Sequence, residues 1–391
     1  MGCQPLLLLW GALLCVCVLP VTGQNYTNAT TKKGRSFIGR EVEIANDSNQ
    51  TVYAVDDFAA KVLTSRLTTV FLPLVYIIVF IISLPSNAIA LWIFFFRSKK
   101  KHPAVIYMAN LALADLMFVV WFPLKISYHI NGNNWIYGEA LCKVFVGFFY
   151  GNMYCSILFM TCLSVQRYWV IVDPISQTRT KSRIALIVSA AIWILIILST
   201  IPLYRFNQTV QIYKLNITTC HDVLPISSLA FDMFNYFLSL AIGLFFFPAV
   251  LTALAYALMI KTLNASITDE RIGKKRKRAI RLIITVLVMY LLCFLPSNIL
   301  LIVHYASVKT AGIGNVYAFY ILALCLSAMN SCIDPFVYYY VSKDFRENVI
   351  NTFKCRSVRT VERMRISFSS MKYSKKNSTY TSSSNTKSSS C

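Results

Sequence analysis

After residue 66 the chain divides into seven apolar runs, at about 69–96, 104–129, 140–172, 184–204, 229–260, 280–305 and 316–340. Each reaches the roughly 20 residues that span a bilayer as a helix. Inside lipid a strand edge or a coil would leave backbone N–H and C=O groups without partners, so each run must be helical. Runs longer than a bilayer needs are expected to tilt or to extend into water. Orientation follows from Lys and Arg in the short connections. Arg97, Lys99, Lys100 and Lys101 fill the first connection, and Arg179, Lys181 and Arg183 the third. The fifth, "RIGKKRKRAIR", has seven basic residues between Arg271 and Arg281. On the other side, residues 126–142 hold none, 205–228 hold Arg205 and Lys214, and the last loop holds Lys309. The basic loops face the cytoplasm, so the amino terminus is outside. The formal net charge of +22 then reads as topology and contact with anionic lipid, not as a nucleic-acid surface. A chain 57% apolar and only 14% charged also excludes an ordinary soluble domain.

The first residues, "MGCQPLLLLWGALLCVCVLPVTG", form a short apolar run ending in small residues, as a secretory signal does. A basic start is missing. The "MGC" opening invites an acylation reading, but Leu6 stands where that pattern wants Ser or Thr. We expect a signal over 1–23 and an exported tail behind it. Sequons at Asn25, Asn28, Asn46 and Asn49 follow at once, and Asn207 and Asn216 lie in the second outer loop. Of twelve cysteines, three sit in the signal, five within spans, and Cys355 and Cys391 on the cytoplasmic side. Cys142 and Cys220 remain as the pair in the oxidising compartment, which predicts a disulfide. Cys355, in the amphipathic stretch "FRENVINTFKCR", is a candidate for palmitoylation.

Polar groups inside lipid are costly and are functional candidates by default. Asn87, Asp115 and Asp334 lie deep in the first, second and seventh runs. Helix-to-helix hydrogen bonding is one reading. Two carboxylates at similar depth cannot comfortably both ionise without a cation. Either one is protonated, or a Na⁺ sits between them with Ser156, Asn330 and Ser331 as further oxygen donors. Pro202, Pro248, Pro296 and Pro335 each remove a backbone hydrogen bond and permit kinks.

Residues 67–355 resemble the rhodopsin-like (class A) G-protein-coupled receptors. The resemblance rests on Asn87, "LALAD" around Asp115, Cys142, Arg167-Tyr168, Trp193, Pro248 with Tyr256, Phe294-Leu295-Pro296, and Asp334-Pro335 with Tyr338, in the family's order and spacing. It implies an all-α membrane protein: a seven-transmembrane helix bundle over 69–341, a short amphipathic helix over 342–355 and a disordered cytoplasmic tail over 356–391. It also implies that Arg167 engages the G protein while Tyr256, Phe294, Pro296 and Tyr338 rearrange as the switch. Three departures stand out. Gln166 replaces the usual acidic residue before the arginine, removing a charge partner that restrains it. Phe294 replaces the usual tryptophan, and Asp334 the common asparagine.

"CHDVL" at 220–224 and "KKGRSFIGR" at 32–40 narrow the resemblance to the protease-activated receptors, and within them to the trypsin-responsive branch. That resemblance implies cleavage between Arg35 and Ser36 by a trypsin-like serine protease, with residues 24–35 released as a propeptide. Ser36, Phe37, Ile38, Gly39, Arg40 and Glu41 then become a tethered ligand at the head of an outer tail, 36–68. Cutting turns an amide nitrogen into an α-ammonium, which a carboxylate in the receptor can distinguish. Asp222 is the expected partner of that ammonium or of Arg40. His129, Tyr150, His304, Tyr305, Tyr317 and Tyr320 are expected around it. Phe37 and Ile38 can each bury area worth roughly 1.5–3 kcal/mol. Gly34 before Arg35, with Lys32 and Lys33 upstream, suits trypsin and tryptase-like enzymes, and a cut after Arg40 would disarm the ligand. The Ser/Thr-rich tail is expected to be phosphorylated by receptor kinases and to recruit β-arrestins, with Gq-type G proteins as the main transducer. No intramembrane Ser/His or metal-ligand set suggests an enzyme, and no cofactor is expected beyond a structural Na⁺. The remaining alternative is a receptor for a free diffusible peptide, with tail cleavage incidental.

Overall fold

The computed structural model describes residues 37–42, 52–98, 102–172, 179–225, 232–265, 270–310 and 316–354. The Arg35–Ser36 bond, the signal, the four sequons of the outer tail, Cys355 and the tail after it lie outside these residues. Among the described residues, seven helices are long and apolar enough to cross a membrane. They are Asp57–Arg97, Pro103–Ile130, Gly138–Ile171, Ser182–Arg205, Tyr236–Leu263, Ile284–Val303 and Ala318–Tyr340. Apolar side chains such as Ile81, Ile187, Val250 and Phe336 face outward. That exposure is the normal solution where lipid is the solvent.

The helices depart from uniform rods where the sequence gives a reason. The second span breaks between Pro103–Val119 and Phe122–Ile130. Pro123 lacks the N–H that would bond the carbonyl of Val119, and Trp121 makes the turn between the two pieces. Pro248 likewise leaves the Leu244 carbonyl without its helical donor, and the chain relaxes through a wide turn at Ala241–Phe246 before Phe247–Ala265. The sixth helix, Glu270–Thr310, continues well beyond the apolar run 280–305 on its cytoplasmic side. The third span is the hub, with Tyr150, Cys155, Ile157 and Phe159 all buried.

Polar side chains link the spans. Asn87 Nδ2 donates to the Ser331 carbonyl (2.8 Å) and Ser83 Oγ to the same oxygen (3.2 Å), joining the first span to the seventh. Trp193 Nε1 donates to Asn110 Oδ1 (2.9 Å), joining the fourth to the second. Inside the cytoplasmic face, the short helix Lys343–Phe353 starts at Ser342, whose hydroxyl accepts from the Phe345 N–H (3.2 Å). Phe345 is buried against Phe94 and Tyr338, which ties that helix to the first and seventh spans.

The outer face carries a five-stranded sheet that the apolar pattern did not announce. Its strands are β1 (Phe37–Val42), β2 (Val52–Ala54), β3 (Thr209–Ile212), β4 (Ile217–Cys220) and β5 (Val223–Pro225), in the order β4-β3-β2-β1-β5. β3 and β4 form an antiparallel hairpin in the second outer loop. Both carboxylate oxygens of Glu139 hold its base, accepting from the backbone N–H groups of Gln208 (2.7 Å) and Thr209 (2.8 Å). Cys220 closes the predicted disulfide to Cys142. The first span opens with a short helix, Asp57–Leu63, which Asp56 caps by accepting from the Ala59 N–H (2.7 Å). Asn133, in the left-handed region at φ 63°, donates to the Leu63 carbonyl (2.5 Å) and holds that helix against the first outer loop.

Candidate functional site

β1 contains five of the six residues expected to act as ligand, and it lies along the second outer loop. Phe37 pairs with Val223, Ile38 with Leu224 and Gly39 with Pro225, in parallel. Arg40, Glu41 and Val42 pair antiparallel with Ala54, Tyr53 and Val52. The backbone of this segment is thus held between the loop and the chain leading to the first span. Phe37 is level with Val223, the residue that follows Asp222.

Asp222 points inward and is buried. Its Oδ2 accepts from the Tyr128 hydroxyl at 2.6 Å and faces Lys125 Nζ at 3.6 Å. Lys125 is itself buried, with its ammonium 4.6 Å from the centroid of the Tyr128 ring and 5.6 Å from that of Phe145. Lys125 sits inside the apolar run 104–129 and was missed in the sequence, although an ionisable residue within a span is itself the signal to look for. Beside the pair lies a cavity of about 40 Å³, lined among others by Tyr76, Lys125, His129, Tyr150, His221 and Asp222. A cavity of that size admits a few waters or an ammonium, but no aromatic ring.

Three expected pocket residues, His129, Tyr150 and Asp222, therefore share one cavity. Tyr320 stands behind Tyr150, hydroxyl to hydroxyl at 3.4 Å. The side chains of His304, Tyr305 and Tyr317 fall outside the described residues. His129 stacks on Tyr76 (5.8 Å between centroids). Asn133 spends its amide protons on Leu63 and Thr68, so its Oδ1 accepts from His129 Nδ1 (2.6 Å), and His129 Nε2 is buried with no partner among the described residues. His221, at φ 68°, connects loop to bundle. Gln208 Nε2 donates to the Leu203 carbonyl, so Gln208 Oε1 accepts from His221 Nδ1 (2.7 Å), and in the neutral ring Nε2 accepts from Tyr150 (3.0 Å).

Deeper in the bundle, Ser331 Oγ and Asn152 Nδ2 donate to Asp115 Oδ1 (2.8 and 3.2 Å), and Asn330 Nδ2 donates to Asp334 Oδ2 (2.9 Å). Asn152 was not foreseen as part of this cluster. Asp115 Oδ2, Asp334 Oδ1 and Ser156 Oγ are buried with no partner group facing them among the described residues, and the two carboxyls lie within hydrogen-bond range of each other. Three buried oxygens from two acids and a hydroxyl fit either a proton shared between the acids or a hard cation such as Na⁺.

Toward the cytoplasm, half-buried Arg167 has no partner for Nε among the described residues, and neither has Oε1 of the neighbouring Gln166. Ser164 Oγ donates to the Tyr256 hydroxyl at 2.8 Å. Phe294 meets Tyr290 edge to face at 5.6 Å. Near Pro296, Ser327 of the seventh span donates to the Cys293 carbonyl (2.9 Å), bridging sixth and seventh spans. Tyr338 is fully buried between Phe94 and Phe345.

The family model described as "7 transmembrane receptor (rhodopsin family)" matches residues 86–338. The chain belongs to the rhodopsin family of seven-transmembrane receptors. Relatives extend the likeness beyond the bundle. Proteinase-activated receptor 2 of Homo sapiens is 63% identical over 384 residues, covering 97% of each chain. Proteinase-activated receptor 2 of Mus musculus is 67% identical over 357 residues, 90% of each chain. Proteinase-activated receptor 3 of Homo sapiens is 42% identical over 284 residues, covering 72% of this chain and 74% of the relative. This member of the rhodopsin family is a multi-pass plasma-membrane receptor with its amino terminus outside, and not an enzyme.

Proposed function

We propose that this receptor is switched on by a trypsin-like protease that cuts after Arg35, and that the new terminus beginning at Ser36 is its tethered agonist. The observation that carries the reading is the register of β1, which sets Phe37 level with Val223. A terminus one residue before Phe37 begins about one strand step, roughly 3.3 Å, from that level, beside the loop position that Asp222 occupies. Cleavage there creates an α-ammonium that was an uncharged amide before the cut, and Asp222 is the carboxylate best placed to tell the two apart. The names of the relatives support a protease as activator.

The agonist never leaves the receptor. About 30 residues join Ser36 to the apolar run that begins near residue 69, and β1 and β2 take up part of that slack. Docking is intramolecular, at an effective concentration that approaches millimolar for short tethers. Weak intrinsic affinity then suffices. Inward from the pocket, Tyr150 lies between His221 of the loop and Tyr320 of the seventh span, so a shift of the loop is felt by two helices. Phe294, Pro296, Tyr256 and Tyr338 then rearrange, freeing Arg167 for a Gq-type G protein. A Na⁺ held by Asp115, Asp334 and Ser156 would compensate the two carboxylates in the resting bundle. Receptor kinases and β-arrestins act on the Ser/Thr-rich tail, glycans occupy the outer sequons, including exposed Asn207 and Asn216, and Cys355 carries palmitate.

The test is intracellular calcium in cells expressing the chain or its Arg35→Ala variant, exposed to low trypsin and then to free SFIGRE peptide. The expected result is a trypsin response from the unaltered chain alone and a peptide response from both. Equal trypsin responses would move the switch to another bond or another molecule.

A further inference from the structure

Lys125 has no role in the reading above, yet it already occupies the partner assigned to the agonist. Its ammonium lies 3.6 Å from Asp222 Oδ2, and the two side chains are only 10% and 11% exposed. Lys125 and a new amino terminus carry the same chemical group, a compact NH₃⁺ with three donors. Two such groups at one buried carboxylate repel each other. The second aspect of the geometry is the seat that Lys125 keeps without Asp222. Its Nζ lies within cation–π range of both the Tyr128 and Phe145 rings, so it can give up the carboxylate and stay partly compensated. The cavity beside the pair is of the size an ammonium needs.

We infer that Lys125 is the specificity-setting counter-ion of the resting receptor: it holds Asp222 until the α-ammonium of the agonist displaces it. This inference rests on the tethered-agonist reading and adds the residue that sets its threshold. In the uncut chain the Lys125–Asp222 pair ties the second outer loop to the second span, and Tyr128 orients the carboxylate. On exchange, Asp222 turns to the agonist and Lys125 stays over the rings, so the bond between loop and span is lost as the bond between loop and agonist forms. The affinity supplied by the agonist's charge is the difference between two similar ion pairs. Lys125 therefore lowers sensitivity to a free ammonium and leaves the weak response to peptides that lack one unchanged.

The experiment compares calcium responses of the unaltered receptor, Lys125→Met and Lys125→Met/Asp222→Asn to SFIGRE and to N-acetyl-SFIGRE, with surface levels matched by biotinylation. Lys125→Gln carries the same comparison should the methionine variant fail to reach the surface. The expected result is a roughly tenfold shift of the SFIGRE curve to lower concentration in the single variant, with no such shift for the acetylated peptide. In the double variant the preference for the free amine is expected to vanish. A simple structural role for Lys125 would weaken both peptides alike. An unchanged or weaker response to SFIGRE in the single variant overturns the inference while leaving the tethered-agonist reading intact. Failure of SFIGRE on the unaltered receptor would sink that reading and the inference with it.

Discussion

In the Lys125→Met background, Asp222→Asn is expected to shift the SFIGRE response to roughly 30- to 1000-fold higher concentration at matched surface level. The substitution keeps the shape of the side chain and removes its charge. Truncating one member of a buried, hydrogen-bonded charge pair typically costs about 2–4 kcal/mol, and each 1.4 kcal/mol is tenfold in affinity. Asp222 is buried and also accepts the 2.6 Å hydrogen bond from Tyr128, so its charge is held in one orientation. N-acetyl-SFIGRE provides the internal control: it lacks the ammonium, so its weak response should be nearly the same on Asp222→Asn as on the unaltered receptor. A loss of the same size for both peptides would make Asp222 a structural element of the loop. Because the asparagine also strips Lys125 of its anion, the comparison needs the Lys125→Met/Asp222→Asn background, in which no cation is left stranded.

Ile38→Pro is expected to separate cutting from signalling. Ile38 is the middle of the three residues paired with β5, level with Leu224. Proline has no N–H, fixes φ and biases the residue before it, so it disturbs a strand with a neighbour on each side. The Arg35–Ser36 bond is untouched. Low trypsin should still release an amino-terminal tag, while the calcium response to trypsin falls by at least about tenfold. Added SFIGRE should still activate this variant, with potency equal to or better than on the unaltered receptor, because the competing strand is weakened. A full trypsin response from Ile38→Pro would mean that residues 37–42 are a spacer and that the agonist is elsewhere.

The spans were legible because the constraint is simple: a bilayer demands about 20 apolar residues and a closed set of backbone hydrogen bonds. The Cys142–Cys220 disulfide was legible for a related reason, since compartment arithmetic left two sulfurs on the oxidising side. The outer sheet was not. β2 and β5 are three residues each, and β1 pairs across more than 180 positions of chain, so no local period marks any of them. The break in the second span has a plain local cause in Pro123, which sits among apolar neighbours and is easily read as one more of them.

The site divides along the same line. Asp115 and Asp334 announced themselves as acids inside lipid-length runs, and the structure adds Asn152 to their cluster through a contact no spacing predicts. Asp222 was chosen for its charge in a loop, without any sign that a partner already held it. Lys125 should have been found by the rule that found the acids, and the aromatic seat that makes its burial tolerable belongs to Tyr128 and Phe145, on different spans. His129 was expected to face a ligand; it lines the cavity, but Nδ1 is committed to Asn133 and Nε2 is buried.

The central claim is that the segment beginning at Ser36 becomes the agonist when the bond before it is cut. The most direct measurement is amino-terminal sequencing of surface receptor recovered from cells at the trypsin dose that gives half of the maximal calcium response. The account predicts a new terminus reading Ser-Phe-Ile-Gly-Arg on a fraction of receptors that rises in step with calcium. A half-maximal response while the Arg35–Ser36 bond remains intact would contradict it.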